Sequence, residues 1–320
     1  MAPESTPGAS PMASQDLKTE NSADEAREVP VSEQTLLKAI SWDTKFKNKS
    51  VEEVDEVMAQ VTHLNLHGLS PPLTRVDDLT RFKALSVLYL YDNKINHIGS
   101  LAPCQDLTHL YLQNNNLEST EMIQVSTRDE ARRPFSSFPA TLAPVLSFLL
   151  TNSSSSPPPT QSLPKLKKLY VDCNSVSRIS GLYGCSALEE LHVSDQRLEP
   201  GTSLEFNNGS LASIGPSLKV FIAQGNNIDD VSKLSKLTEL EEVDLSRNAI
   251  KESASLKDVF DKCKKLKKLS LLSNPVCKTS RGIEAEAILT CNSLEEFNNK
   301  EVTDQKRKCI QVMSTRKSKK

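Results

Sequence analysis

Glycine is scarce in this 320-residue chain, ten in all, and neither GxxxxGK[ST] nor GxGxxG occurs, so no phosphate-cradling loop is indicated. No CxxC pair exists among the seven cysteines (Cys104, Cys173, Cys185, Cys263, Cys277, Cys291, Cys309), and none has a histidine at metal-ligand spacing. That pattern speaks against a zinc site and suits a reducing compartment. No stretch approaches the roughly 20 apolar residues needed to cross a bilayer. The opening MAPESTPGASPMASQ lacks the charged-then-apolar run of a secretory leader, so the expected address is intracellular. An excess of charge of one sign is missing too: the formal net charge is -2, which argues against nucleic acid as the partner. The charge is segregated, however, with seven acids against two bases in residues 1–34 and eight bases against two acids in 300–320.

What is present is repetition. Written as L-x-x-L-x-L-x-x-N-x-L, the chain shows segments starting at Val61, Leu85, Leu107, Leu166, Leu188, Leu218, Leu240 and Leu266. Two of them read LSVLYLYDNKI and LTHLYLQNNNL. Each such unit makes a short strand and a return segment whose apolar side cannot be buried alone, so neighbours must stack into a solenoid. The predicted fold is therefore α/β, a leucine-rich-repeat solenoid with a parallel strand ladder on the concave face and short helical or 3-10 returns on the convex one. Leu88, Leu90, Leu110, Leu112, Leu169 and Val171 belong to its core. Asn93, Asn115, Asn174, Asn226, Asn248 and Asn274 fall at the ninth position, where a side-chain amide can satisfy turn backbone inside the stack, and are read as a structural ladder.

Repeat spacing runs 24, 22, 59, 22, 30, 22 and 26 residues, so the third step carries about 37 too many. Removing Val125 to Gln161 restores a step of 22. Since Val codons begin with GT and a Gln codon can end in AG, the segment is either an in-frame retained intron or an extruded loop. Its Ser/Pro-rich half is expected to be disordered. The predicted organisation is an acidic disordered head (1–34), a helical cap (35–60) begun by the Ser50 capping signal, repeats over 61–124 and 162–299 interrupted by the insert 125–161, and a basic tail (300–320).

Function in such a scaffold is expected on the concave strands. The fifth repeat positions are Asn65, Tyr89, Tyr111, Tyr170, His192, Ile222, Asp244 and Ser270. With the insert looped out, Tyr89, Tyr111, Tyr170 and His192 become one stripe, flanked among others by His63, His109, Gln113, Lys167, Lys168, Asp172, Glu189 and Glu190. Tyrosine-rich rigid surfaces make good interface anchors, so Tyr89, Tyr111, Tyr170, His192, His109, Lys168, Glu190 and Asp244 are the candidate partner-binding residues. The plainer reading has these aromatics only covering neighbouring strands. No carboxylate-His-nucleophile arrangement recurs around His109 or His192, and neither catalysis, a cofactor, a metal nor a small-molecule substrate is expected.

The strings LSVLYLYDNKI, LTHLYLQNNNL, LKKLYVDCNSVSRISGL, LEELHVSDQRLEPGTSLEF, GNNIDDVSKL and SNPVC, in this order, resemble the leucine-rich-repeat regulatory subunits of protein phosphatase 1. The likeness covers roughly residues 55–310 apart from 125–161. It implies a cytoplasmic protein of the cytoskeleton, at a microtubule-organising centre such as the centrosome or basal body. It also implies two partners, the phosphatase catalytic subunit and tubulin, gamma-tubulin included. The chain departs from the usual phosphatase-docking peptide, a basic residue followed by Val or Ile, one residue and Phe or Trp. Its nearest strings, Lys219-Val220-Phe221 and Lys257-Asp258-Val259-Phe260, put Phe directly after Val. Lys306, Arg307, Lys308, Arg316, Lys317, Lys319 and Lys320 could attract tubulin's acidic surface tails. Two other roles fit the same scaffold: a structural ciliary or axonemal component, and a nuclear ribonucleoprotein scaffold.

Overall fold

The computed structural model describes residues 28–40, 50–77, 79–99, 101, 103–120, 163–280 and 282–317. The acidic residues 1–27, the insert 125–161, and Lys319 and Lys320 lie outside them.

Chain order alternates short strands with returns. The strands are β1 (His63–Asn65), β2 (Arg75–Val76), β3 (Val87–Tyr89), β4 (His97–Ile98), β5 (His109–Tyr111), β6 (Lys168–Tyr170), β7 (Arg178–Ile179), β8 (Glu190–His192), β9 (Glu205–Phe206), β10 (Val220–Ile222), β11 (Glu242–Asp244), β12 (Lys268–Ser270), β13 (Glu296–Phe297) and β14 (Lys300–Glu301). Ten of them form one sheet in the order β1-β3-β5-β6-β8-β10-β11-β12-β13-β14, parallel except for the last pair. The pairs β2-β4 and β7-β9 make two small parallel sheets on the returns. The chain is thus a leucine-rich-repeat solenoid of mixed α/β class.

One residue of each of the nine parallel ladder strands, Leu64, Leu88, Leu110, Leu169, Leu191, Phe221, Val243, Leu269 and Phe297, is buried in a core that runs from Leu36 to Val302. Alternation along a strand makes its two flanking residues face outward, which is why one column of the repeat is core and the next is surface. Four of the seven cysteines, Cys104, Cys185, Cys263 and Cys291, are buried where a return segment turns back toward the next strand. Burial pushes the Cys104, Cys185 and Cys291 thiols up to about 11 and that of Cys263 to about 12, which keeps them protonated and unreactive.

The polar column inside the stack does what a turn needs. Asn115 donates from Nδ2 to the carbonyls of Leu90 (2.9 Å) and Leu112 (3.0 Å), while its Oδ1 accepts the Ile95 N–H at 2.9 Å. Asn93, Asn174, Asn226, Asn248 and Asn274 repeat the pattern. Gln196 takes over the role in the Leu188 repeat, accepting from Val176 N–H and donating to Val171, while Asn298 plays a different part, accepting the Leu271 N–H at the end of β12. The repeat template passes over Gln196 because it is not an asparagine.

Both ends of the core are covered. The helix Val51–Gln60 starts in a reciprocal capping box, Ser50 with Glu53, and buries Val54 and Met58 against the first repeat. At the other end the helix Asp304–Lys317 packs on the helix Ile283–Thr290. Arg307 donates to the carbonyls of Ile288 (2.7 Å) and Leu294 (2.6 Å), and Lys306 pairs with Glu284 at 2.6 Å. This corrects the expected basic tail: 304–317 is a helix, and Lys306 and Arg307 fasten it to the solenoid. Of the tail bases whose side chains are described, Lys300 and Lys308 are exposed and outside these contacts.

Strands β5 and β6 pair directly, His109 with Lys168, Leu110 with Leu169 and Tyr111 with Tyr170. No strand of the ladder therefore lies between them. Chain-closure entropy favours a shorter connection. Excising Val125–Gln161 is accordingly expected to leave the unfolding midpoint unchanged or raise stability by up to about 2 kcal/mol. A drop of more than about 1 kcal/mol in urea unfolding would show that the segment supports the fold.

Candidate functional site: the concave aromatic column

Strand register assembles the site. Asn65, Tyr89, Tyr111, Tyr170, His192, Ile222, Asp244 and Ser270 stand opposite one another across consecutive strands. Four of these rings form a continuous stack: centroids are 4.9 Å apart for Tyr89–Tyr111 and for Tyr111–Tyr170, both nearly parallel, and 4.3 Å for the tilted Tyr170–His192 pair. The strand spacing of roughly 4.8 Å falls within the centroid separation of offset-stacked rings, so tyrosines at the same position of successive repeats can stack with a small offset. All four rings are partly exposed.

Two further rings widen the column at its N-terminal end. Tyr91 stacks on His67 at 4.5 Å and meets Tyr89 edge-on at 6.4 Å. Sequence reasoning missed them, although the Tyr89-Leu90-Tyr91 alternation puts both tyrosines on the same face as a period-two pattern. His109 lies alongside Tyr111, ring centroids 6.4 Å apart, with its Nδ1 on the Thr108 hydroxyl at 2.8 Å.

Lys168 and Glu190 form an ion pair at 2.8 Å, and the Tyr170 hydroxyl donates to the same carboxylate at 2.8 Å. Burial works against the Glu190 charge, but these bonds outweigh it and hold the carboxyl below its usual range. Burial and the Glu190 bond push the Tyr170 phenol well above its ordinary range. Asp244 is separated from the aromatic column by Ile222 and accepts the Ser246 N–H at 2.8 Å, its own turn.

Beyond Ile222 the concave surface changes character. Lys219 pairs with Glu189, Lys267 with Glu241 and Lys268 with Glu242, each across one strand step. Charges of alternating sign in successive repeats neutralise one another, and each exposed pair contributes at most about 1 kcal/mol. The concave face thus has an aromatic N-terminal half and a self-paired C-terminal half. Phe221 and Phe260, the aromatic residues of the two imperfect docking strings, are fully buried.

Burial, reinforced by Lys168, holds the His109 imidazole below its ordinary pKa of 6.5. A folded-state pKa below the unfolded one means the unfolded chain takes up the proton first as pH falls. Stability is then lost from pH 6.5 downward through the folded pKa. His109→Gln is expected to shrink the difference in urea midpoint between about pH 7.5 and 5.5 relative to the unmodified chain. An unchanged difference would mean that His109 does not titrate with folding.

Among the described residues no group of three His, Cys, Asp or Glu side chains is placed to hold a metal ion, and no helix is long and apolar enough to cross a membrane.

A parallel ladder, a buried amide column and capped ends define the class, a leucine-rich-repeat solenoid whose distinguishing surface is a stacked tyrosine and histidine column. No protein-family profile matches the chain. Among solved structures it is similar to an LRR protein of Leptospira interrogans, with 17% identity and a TM-score of 0.43 over 77% of this chain and 56% of that one. The chain therefore spans little more than half of that protein's length. It is also similar to the structure of the Chaetomium Mex67:Mtr2 subunits, with 18% identity and a TM-score of 0.30 over 38% of this chain and 87% of the other. The fold assignment rests on the ladder itself.

Proposed function

We propose that this chain is a protein-binding scaffold whose partner lies on the aromatic half of the concave face. The observation that carries the reading is the contrast along one surface. From Tyr89 to His192 stacked rings are offered to solvent on rigid strands, with the Lys168–Glu190 pair beside them, while Lys219, Lys267 and Lys268 on the later strands are each paired with a glutamate across one strand step. Aromatic side chains fixed in one conformation lose little entropy on binding, which is what an interface hot spot requires.

The finer reading follows the resemblance drawn from the repeats. The partner is the catalytic subunit of protein phosphatase 1, which the chain regulates without chemistry of its own, at a microtubule-organising centre. With Phe221 and Phe260 in the core, neither docking-like string can be offered as an extended peptide, so phosphatase binding falls to the concave column. Tubulin, gamma-tubulin included, is the second partner, held electrostatically by Lys308 and the bases from Arg316 to Lys320.

The experiment is a pull-down with purified phosphatase catalytic subunit and purified tubulin. Three proteins are compared: the unmodified chain, a Tyr89/Tyr111/Tyr170→Ala variant, and a variant with Lys308, Arg316, Lys317, Lys319 and Lys320 changed to Gln. The last keeps Lys306 and Arg307, because truncation at Lys300 would remove the C-terminal cap. Selective loss of phosphatase in the first variant and of tubulin in the second is the expected result. Binding of neither by the unmodified chain would overturn both assignments and favour the structural ciliary role.

A further inference from the structure

One carboxylate beside the aromatic column has no cation. Gln113, Asp172 and Ser194 follow Tyr111, Tyr170 and His192 by two residues and lie side by side, joined by Asn114 N–H to the Asp172 carbonyl (2.9 Å) and Cys173 N–H to the Ser194 carbonyl (2.9 Å). The Asp172 carboxylate accepts the Ser194 N–H at 2.6 Å, while the buried Ser194 hydroxyl makes no hydrogen bond among the described residues. No lysine or arginine among the described residues pairs with it. Its neighbours differ: Glu190 has Lys168, Glu189 has Lys219 and Asp195 has Arg247. The nearest titratable ring, His192, is held below its ordinary pKa mainly by burial, while Asp172, Glu190 and Glu242 oppose that effect and Lys168 adds to it. Partial burial makes the Asp172 charge costly, and its carboxyl is raised above the ordinary range for the same reason. Next to it the buried Gln113 Oε1 has no donor. Among the described residues this edge of the column therefore presents a carboxylate that no cation pairs with and an amide oxygen that no donor reaches.

We infer that Asp172 receives an arginine side chain from the bound partner segment, with the stem of that side chain lying along the edges of Tyr111 and Tyr170. Of the two natural cations, a guanidinium is the more weakly hydrated and so enters a half-buried site at lower cost. Its several donors can serve the free Asp172 oxygen and the Gln113 carbonyl together, where an ammonium acts as a point charge. The apolar stem suits ring edges. The proposal rests on the concave column being the partner surface, and it adds the chemistry that the partner must present.

The test is a titration of the full chain with the peptide acetyl-Gly-Arg-Gly-amide and its citrulline counterpart, which keeps the shape and removes the charge. Ring resonances of Tyr111 and Tyr170 report binding by NMR. The arginine peptide is expected to shift them saturably, and the citrulline peptide to bind about ten-fold more weakly or worse. Asp172→Asn should show the same weakening for the arginine peptide. That variant keeps an oxygen for the Ser194 N–H and is expected to fold. Glu241→Gln, removing a carboxylate already paired with Lys267 in the other half of the concave face, should bind the arginine peptide within about two-fold of the unmodified chain. Absence of shifts in the unmodified chain, equal binding of the two peptides, or unchanged binding by Asp172→Asn would each overturn the proposal. Failure of the broader reading looks different: the triple tyrosine variant would then keep the phosphatase while the arginine peptide still bound at Asp172.

Discussion

Replacing Asn174 with alanine is expected to lower stability by about 3 kcal/mol, more than any single exposed change on the concave face. Asn174 is fully buried and joins the two parts of the solenoid on either side of the insert. Its Nδ2 donates to the carbonyls of Leu112 (2.9 Å), Val171 (2.9 Å) and Asp172 (3.2 Å), and its Oδ1 accepts the Leu117 N–H at 3.0 Å. The three carbonyls each keep another donor, from Asn115, Gln196 and the Asn114 N–H. The Leu117 amide does not. An orphaned buried N–H costs about 1–3 kcal/mol, and the lost net bonds with the space left by the amide supply the rest. Gln196→Asn, which shortens an amide already performing this role, is the milder comparison. Urea unfolding followed by circular dichroism reads both, and a loss below about 1 kcal/mol for Asn174→Ala would mean that the column is not what ties the repeats together.

The second large effect is on binding. Tyr111→Ala with Tyr170→Ala is expected to weaken phosphatase affinity by at least about 100-fold, close to 2.7 kcal/mol, because two adjacent anchors in the middle of the column are removed. Both rings are partly exposed and their backbones belong to strands fixed by Leu110 and Leu169, so the fold should survive. The change removes Tyr170's bond to Glu190 but leaves the Lys168–Glu190 pair in place. Tyr89 stays and keeps its edge contact with Tyr91, but the stack is cut between it and His192.

Much of this was legible before any coordinates. The repeat template places core, amide and surface columns by counting, because each turn of a solenoid reuses one local solution, and the parallel register follows once one repeat is aligned with the next. That is why the stripe from Tyr89 to His192 could be written from sequence despite the long step before Leu166. What counting could not see depends on side chains meeting across repeats. Gln196 substitutes for asparagine by reach, His67 of the preceding repeat stacks on Tyr91, and Asp172 stands without the cation that Glu190 enjoys. The basic tail misled for the same reason. A cluster of lysines and arginines reads as a solvated tail, but Arg307 finds three carbonyls at the C-terminal end of a helix, where unsatisfied acceptors gather.

Calorimetric titration of purified protein phosphatase 1 catalytic subunit into three proteins tests the central claim most directly: the unmodified chain, the Tyr111/Tyr170→Ala variant, and a Lys267/Lys268→Gln control in the self-paired half. The account predicts binding by the first, a loss of about 100-fold or more in the second, and a change within about three-fold in the third. Equal affinity for the first two proteins, or a larger loss in the control than in the tyrosine variant, would contradict it.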